Sequence, residues 1–256
     1  MIFNRKTIEN TTILRALVGS TTHGISIGND DRDEMGVCIE PIEYAMGFPE
    51  FEQLIYRSAV EREGRHDARS QKGDLDLTIY SLRKFIRLSL KGNPTILILY
   101  FIKNPLYISF LGKELQELAP KIVSKKAGNA FLGYLTAQKQ RMLGERGGTH
   151  GRLEEYDFKY AAHMVRLGLQ GVELLQTGSL SIPMIKENQD YIKAVRHGDI
   201  SIQNALSRTG ELEKELKDLI DDSPLREKPD DEFAEKWMIE TYWKFWKSDF
   251  GSKSNA

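Results

Sequence analysis

The sequence of 256 residues contains a single cysteine, Cys38, and no apolar run long enough to cross a membrane. One cysteine cannot form an intramolecular disulfide, and a structural zinc site that depends on thiolates is disfavoured. A membrane span takes about 20 apolar residues in succession, and the N-terminal residues lack the apolar core of a signal peptide. These absences predict a soluble cytoplasmic protein with no membrane partner.

The sequence also lacks a Gly-x-x-x-x-Gly-Lys motif, which excludes a P-loop nucleotide site. The net charge is only −1, but the charges are unevenly distributed. Residues 121–152 hold seven Lys or Arg and one acidic residue, whereas residues 211–235 hold eleven acidic and four basic residues. The basic stretch either faces a nucleic acid or phosphates, or is a solvated helix face with a flexible connection.

A strand–turn–strand segment near the N-terminus carries the first functional signal. Residues 13–18 form an apolar strand that ends in the turn Gly19-Ser20, and a second strand opens on Asp31-Arg-Asp33. Strand side chains alternate between faces, so Asp31 and Asp33 are predicted to point the same way. Paired carboxylates attract hard cations such as Mg²⁺, which also bind phosphate oxygens. The Gly-Ser turn lets phosphates approach its backbone N–H groups and the Ser20 hydroxyl.

Several stretches of the chain, taken in order, resemble one protein family. They are Gly19-Ser-Thr-Thr-His-Gly24, Asn29-Asp-Asp-Arg-Asp-Glu-Met-Gly-Val37, Asp76-Leu-Thr-Ile-Tyr-Ser-Leu82, Leu90-Lys-Gly-Asn-Pro94 and Tyr156-Asp-Phe-Lys-Tyr-Ala-Ala-His-Met-Val-Arg-Leu167. The pattern resembles the polymerase-β-type nucleotidyltransferase superfamily, and within it the predicted nucleotidyltransferases linked with RNA repair pathways.

The resemblance implies a third carboxylate on a neighbouring strand, and Asp76 is the candidate, with Asp74 in reserve as a residue that otherwise only opens the strand. Asp31, Asp33 and Asp76 would then be the catalytic residues and the ligands of two Mg²⁺ or Mn²⁺ ions. Asp76 could also act as general base for the acceptor hydroxyl. The substrate would be a nucleoside triphosphate, with Gly19 and Ser20 on its phosphates.

A second candidate group lies in the last of these stretches. Lys159, His163 and Arg166 are spaced by four and three residues, which places them on one face of a helix. Near a triphosphate they could neutralise developing negative charge, although the same pattern fits an ordinary solvated helix face. The resemblance favours nucleotide binding. His23 is either a nucleotide contact or a packed side chain, and both interpretations stay open.

The pattern of apolar residues predicts an α+β protein. The resemblance implies that residues 1–120 form a polymerase-β-like catalytic domain with a mixed sheet and helices. Residues 121–256 would form an all-helical domain that closes over the nucleotide and selects the acceptor. Helices are expected at 112–118, 122–143, 154–177, 187–197, 201–221 and 231–247, with a glycine-rich connection at 144–151.

The leading hypothesis is a metal-dependent enzyme that moves a nucleoside monophosphate from a triphosphate to an acceptor hydroxyl, with pyrophosphate as the leaving group. The family resemblance and the basic stretch favour an RNA 3′ end, similar to that of tRNA, as the acceptor. One alternative keeps the chemistry but modifies a protein or a small molecule, as in toxin–antitoxin or antibiotic-modifying enzymes. The other is a non-catalytic regulator that binds a nucleotide.

Overall fold

The computed structural model describes residues 5–28, 31–142 and 154–253 of the chain. The connection predicted at 144–151, with Glu145, Arg146 and His150, lies outside these ranges. The described residues form one mixed five-stranded sheet in the first half of the chain, surrounded and followed by helices. The predicted α+β class is therefore confirmed.

The sheet orders its strands β3-β4-β2-β1-β5. The strands are β1 (Thr12–Leu17), β2 (Arg32–Cys38), β3 (Gln53–Arg57), β4 (Leu75–Ser81) and β5 (Tyr107–Ile108). β2 and β4 are parallel, and the other neighbouring pairs are antiparallel. Parallel strands need a crossover connection, which here consists of β3 and two short helices, α3 (Ile42–Met46) and α4 (Ser58–Glu63).

The two faces of the sheet pack against different parts of the chain. Met35 and Val37 belong to the main hydrophobic core, which extends into the helices. The opposite face carries a small second cluster, which consists of Ile8, Cys38, Leu77 and Ile79. Because side chains alternate along a strand, Asp33 lies on the face of Met35, toward the helices. The sheet therefore presents its carboxylates to the helical layer.

The helices of the first half are short. Besides α3 and α4 they are α1 (Arg5–Asn10), α2 (Gly19–His23), α5 (Leu82–Ser89), α6 (Pro94–Leu97), α7 (Phe110–Glu117) and α8 (Ala119–Ile122), with a 3₁₀ turn at Ile98–Tyr100. Ser81 caps the N-terminus of α5, since its Oγ accepts a hydrogen bond of 3.2 Å from the Lys84 N–H. The apolar run 95–101 is helical because Asn93 caps α6 and Pro94 opens it.

The helices of the second half are longer and close to their predicted bounds. They are α9 (Lys126–Met142), α10 (Glu154–Thr177), α11 (Lys186–His197), α12 (Ile202–Asp222) and α13 (Asp231–Lys253). α10 lies at the centre and packs against α9, α11 and α12. None of the helices in the described ranges combines the length and the apolar character needed to span a membrane.

The last helix packs back onto the sheet-bearing half. The Tyr242 hydroxyl donates to Glu40 Oε1 at 2.7 Å, and Trp246 Nε1 donates to the Glu40 carbonyl at 3.1 Å. One apolar core runs from β1 into α13. The division into a catalytic domain and a helical domain near residue 120 stays a prediction.

The basic and acidic stretches of the sequence meet each other in the fold. Lys121 Nζ lies 3.3 Å from an Asp230 carboxylate oxygen, and Lys125 Nζ lies 2.6 Å from one of Glu227. These two lysines are therefore neutralised within the chain, which reduces the positive charge that the basic stretch can offer to a nucleic acid.

Candidate active site

Three carboxylates converge where β2 and β4 begin. Asp33 and Asp76 are partners in the parallel pairing of these strands, and Asp31 immediately precedes β2. One carboxylate oxygen of each residue lies within 4.8 Å of the other two. Asp31 was predicted on the strand itself; it lies just outside it, yet its carboxylate still reaches that of Asp33.

The composition of this cluster fits a hard divalent cation. Three half-buried carboxylates offer oxygen donors only, and oxygen is the ligand that Mg²⁺ and Mn²⁺ prefer. Like charges held this close repel unless a cation lies between them. The residues present therefore suit such an ion.

The Asp76 carboxylate is oriented by two residues that the sequence did not reveal. Ser70 Oγ lies 2.9 Å and 3.0 Å from the two carboxylate oxygens, and Arg57 Nε donates to Oδ2 at 3.3 Å. Arg57 is the strand partner of Asp76 on β3 and also donates to Ser70 Oγ at 3.0 Å. The pairing of β3 with β4 brings Arg57 to Asp76, and the loop before β4 brings Ser70, so no periodic pattern in the sequence could have found them.

Asp74, the reserve candidate, lies outside the cluster. It precedes β4, and its carboxylate accepts hydrogen bonds from Arg62, from Ser58 Oγ at 2.9 Å and from the Gln71 backbone N–H at 2.7 Å. The bond from Arg62, followed by that from Gln71, lowers the pKa of Asp74 to about 2. Asp74 therefore joins α4, the following loop and β4.

Gly19 lies against the carboxylate of Asp33. Its φ of +73° is in the left-handed region, and a Cβ built there would lie 2.2 Å from Asp33 Oδ2. The Val18 backbone N–H also donates to the Asp33 carbonyl at 2.9 Å. Glycine is therefore required at this turn for two reasons, its backbone conformation and the space that the carboxylate occupies.

A cleft of about 230 Å³ opens beside the carboxylates. It brings together all the predicted site residues except Asp76, namely Gly19, Ser20, His23, Asp31, Asp33, Lys159, His163 and Arg166. Arg196 of α11 also lines it and was not anticipated from sequence. The cleft thus places three cationic side chains opposite two carboxylates, an arrangement that suits a metal-bound polyphosphate.

A hydrogen-bond network holds Arg166 at the wall of this cleft. Arg166 donates to Gln170 Oε1 at 2.7 Å and to His163 Nε2 at 2.8 Å, and its Nη1 lies 3.2 Å from His23 Nε2. Gln170 Nε2 lies 3.3 Å from the other ring nitrogen of His23. A neutral imidazole has one acceptor nitrogen, so only one of the two contacts to His23 is a hydrogen bond.

The two histidines of the network are held uncharged. Burial, followed by the charge of Arg166, lowers the pKa of His163 to about 3 and that of His23 well below its usual value. Burial lowers the pKa of Arg166 to about 10, so its guanidinium stays protonated at neutral pH. The Arg166 contacts described above are thus all with uncharged groups, and its positive charge remains available to an anion in the cleft.

Comparison with known proteins identifies the family. The profile of the RNA repair pathway DNA polymerase beta family (RlaP) matches residues 3–240. The chain belongs to this family. It is a polymerase-β-type nucleotidyltransferase, an enzyme class that transfers nucleoside monophosphates, as the resemblance carried by Gly19-Ser20 and the carboxylates predicted.

Two solved structures were also matched. Spectinomycin adenyltransferase AAD(9) from Enterococcus faecialis, crystallised with ATP and spectinomycin, is 13% identical over 83% of this chain and 94% of its own, with a TM-score of 0.42. A nucleotidyltransferase-like protein from Exiguobacterium sibiricum is 10% identical over 86% of this chain and 72% of its own, with a TM-score of 0.32. Both scores are low, so the family assignment does not depend on these structures. A search among curated proteins found no match.

Some residues of the candidate site could have been found from sequence and others could not. Gln170 follows Arg166 by four residues, so the helical spacing that grouped Lys159 with Arg166 extends to it. Arg196 lies on α11, a separate helix, and reaches the cleft only through the packing of α11 against α10.

Proposed function

We propose that this nucleotidyltransferase transfers a nucleoside monophosphate from a nucleoside triphosphate to the 3′-terminal hydroxyl of an RNA, with release of pyrophosphate. One observation carries the proposal: three carboxylates converge at the edge of a cleft that also holds Lys159, Arg166 and Arg196. A site for a neutral ligand would not need charges of both signs so close together.

The carboxylates of Asp31, Asp33 and Asp76 would hold Mg²⁺ or Mn²⁺, two ions in all, together with oxygens of the triphosphate. Such ions neutralise the phosphate charge and stabilise the attacking and leaving oxygens of an in-line displacement. Arg57 and Ser70 hold the Asp76 carboxylate in the direction of Asp33.

The remaining residues of the cleft would bind the triphosphate. Gly19 leaves room for the Asp33 carboxylate, and Gly19 and Ser20 both line the cleft, where the Ser20 hydroxyl and the backbone of the turn would contact the phosphates. Lys159 and Arg166 would neutralise the charge that builds up on the leaving pyrophosphate. His163 and His23, both uncharged, keep Arg166 oriented without neutralising it.

In the reaction, the acceptor hydroxyl oxygen forms a bond to the α-phosphorus of the triphosphate. The bond from that phosphorus to the oxygen bridging the α- and β-phosphates breaks, and the electron pair leaves with pyrophosphate. Asp76 would take the hydroxyl proton as general base, since it is the one carboxylate of the cluster that does not line the cleft assigned to the triphosphate. The product is the acceptor extended by one nucleotide.

The description of the family supports RNA as the acceptor. Modification of a protein or a small molecule uses the same carboxylates, and a regulator that only binds nucleotides would keep the cleft without turnover. The three alternatives differ in where a labelled nucleotide ends up.

The test incubates the protein with Mg²⁺ or Mn²⁺ and each of the four nucleoside triphosphates, radiolabelled at the α-phosphate, with total RNA, cell protein or small-molecule pools. We expect label in discrete RNA bands on a denaturing gel, lost on addition of EDTA and in Asp33→Ala. Asp199→Ala, at an exposed position that does not line the cleft, is the matched control and should label RNA as the wild type does. Label in protein or in small molecules would refute the RNA acceptor, and retained turnover in Asp33→Ala would refute the assignment of the metal ligands.

A further inference from the structure

A second groove adjoins the carboxylates on the same face of the sheet. It has a volume of about 400 Å³, and its floor is formed by β3 and β4. Asp76, Thr78 and Tyr80 alternate onto one face of β4, and Ile55 is the strand partner of Thr78 on β3. The floor of the groove therefore runs along β4 from Asp76 to Tyr80, which lie roughly 13 Å apart at the rise per residue of a β-strand.

The groove and the cationic cleft meet at the carboxylates. Asp33 and Arg166 line both, whereas Asp31 lines only the cleft and Asp76 only the groove. A molecule in the groove and a triphosphate in the cleft would thus approach each other across Asp33. A transfer between two reactants requires two binding spaces that meet at the reacting groups, whereas the binding of a single ligand requires only one.

The charges of the groove differ from those of the cleft. Its Arg57 is paired with Asp76 at 3.3 Å, and Glu34 is buried in ion pairs with Arg15 and Arg32, each at 2.5 Å. Beyond the cluster, the lining therefore offers no unpaired carboxylate to an ammonium group. A polycationic acceptor would find no partner along this floor.

The groove instead exposes apolar and aromatic surface. The Ile55 side chain is 61% exposed although it lies on the inner face of the sheet, and the half-buried ring of Tyr80 lies further along the same floor. Flat apolar surface next to hydroxyl groups such as that of Thr78 is what nucleobases stack on and bond to.

We infer that this groove binds the terminal nucleoside of the acceptor strand, with its base against Ile55 and Tyr80 and its hydroxyl toward Asp76. The inference rests on the proposed function, since it names the part of the site that receives the acceptor. Recognition through stacking tolerates any base, so the groove selects a single-stranded nucleic acid end by shape and does not read its sequence.

The first test is steady-state kinetics with a short single-stranded RNA oligonucleotide as acceptor. Ile55→Glu changes an exposed side chain and places a negative charge where the strand would lie. We expect about a tenfold or larger increase in the KM for RNA, comparable to the loss that truncating a stacked aromatic side chain causes, with the KM for the triphosphate unchanged. Tyr80→Ala should act in the same way, and Tyr80→Phe should retain wild-type behaviour.

Matched controls lie elsewhere on the surface. Ile239→Glu changes an exposed apolar residue on α13, and Tyr107→Ala changes an exposed aromatic residue on β5, at the opposite edge of the sheet. Both should keep the wild-type KM for RNA. An unchanged KM in Ile55→Glu and Tyr80→Ala would overturn the inference while leaving the proposed function intact.

The second test does not require turnover. An RNA oligonucleotide ending in 4-thiouridine is irradiated with the protein, and crosslinked peptides are identified by mass spectrometry. A crosslink within residues 53–57 or 76–80 supports the groove even if no nucleotide transfer to RNA is observed, in which case only the proposed function fails. A crosslink confined to other surfaces, or no crosslink under conditions in which RNA is extended, overturns the inference.

Discussion

Asp33 and Asp76 face each other as register partners on the parallel strands β2 and β4. A slip of one residue in this pairing would turn one of the two side chains to the opposite face of the sheet. Buried apolar residues further along the same strands, Val37 of β2 and Ile79 of β4, oppose such a slip. The hydrophobic core of the sheet therefore fixes the distance between the carboxylates.

Gly19→Ala tests the contact between the turn and Asp33. The new methyl group would overlap with Asp33 Oδ2, so the carboxylate must move, and activity should fall about 100-fold, as a displacement near 1 Å can cause. The left-handed backbone adds a stability cost of about 1–2 kcal/mol. Gly64→Ala is the control, since Gly64 has a φ of +67° but open space around its Cβ position. It should share the loss in thermal stability and keep full activity; equal activity losses in both variants would contradict the clash.

Ser70→Ala tests the support of Asp76. The variant removes the hydroxyl that contacts both carboxylate oxygens, so kcat should fall about tenfold or more and the metal concentration for half-maximal activity should rise. Ser58→Ala removes an equivalent hydroxyl from Asp74. That control should lower the free energy of unfolding by about 1 kcal/mol without changing kcat or the metal dependence. A wild-type metal titration in Ser70→Ala would exclude a role in positioning Asp76.

The uncharged state of His163 and His23 predicts a pH-dependent stability. Because the pKa of His163 is about 3 in the folded chain, against an ordinary value of 6.5, the unfolded chain binds more protons between these values. The free energy of unfolding is therefore highest above pH 6.5 and should decrease as the pH falls toward 3, by up to about 1.4 kcal/mol per pH unit for each histidine.

Urea denaturation across this pH range measures the effect. His163→Gln should reduce the slope of the free energy of unfolding against pH, because glutamine binds no proton at this position. His66→Gln, which replaces an exposed histidine, should leave the slope unchanged. Identical slopes for His163→Gln and the wild type would show that His163 is not held uncharged by the fold.

Tyr242→Phe tests the anchoring of α13 to the sheet-bearing half. The variant removes the hydroxyl that donates to the buried Glu40 carboxylate, so the free energy of unfolding should fall by about 1–3 kcal/mol. Burial raises the pKa of Glu40, and Tyr242 is one of the donors that oppose this rise. Tyr107→Phe, at an exposed tyrosine, should cost nothing in the same denaturant titration. Equal stability of Tyr242→Phe and the wild type would argue against this anchor.

The sequence by itself determined most of the elements and grouped most of the residues that line the cleft. Two local patterns predicted most of these residues. One is the spacing of Gly19-Ser20, Asp31 and Asp33, and the other is the helical period of Lys159, His163 and Arg166. Such patterns can be recognised in the sequence whatever the tertiary arrangement is. The bounds of α10 were predicted at 154–177 and lie at Glu154–Thr177 for the same reason. The choice of Asp76 as third carboxylate came from family resemblance and agrees with the observed cluster.

Only the tertiary structure decided what surrounds those residues. Arg57 reaches Asp76 through the pairing of β3 with β4, Ser70 reaches it from the loop before β4, and Arg196 reaches the cleft through the packing of α11. The alternation of side chains along a strand predicts that Asp74 and Asp76 point to the same face. Asp74 instead precedes β4, and its carboxylate is hydrogen-bonded to Arg62. Each of these contacts joins residues that are distant in sequence or lie outside regular structure, where periodicity carries no information, and so they follow from the packing of the whole chain.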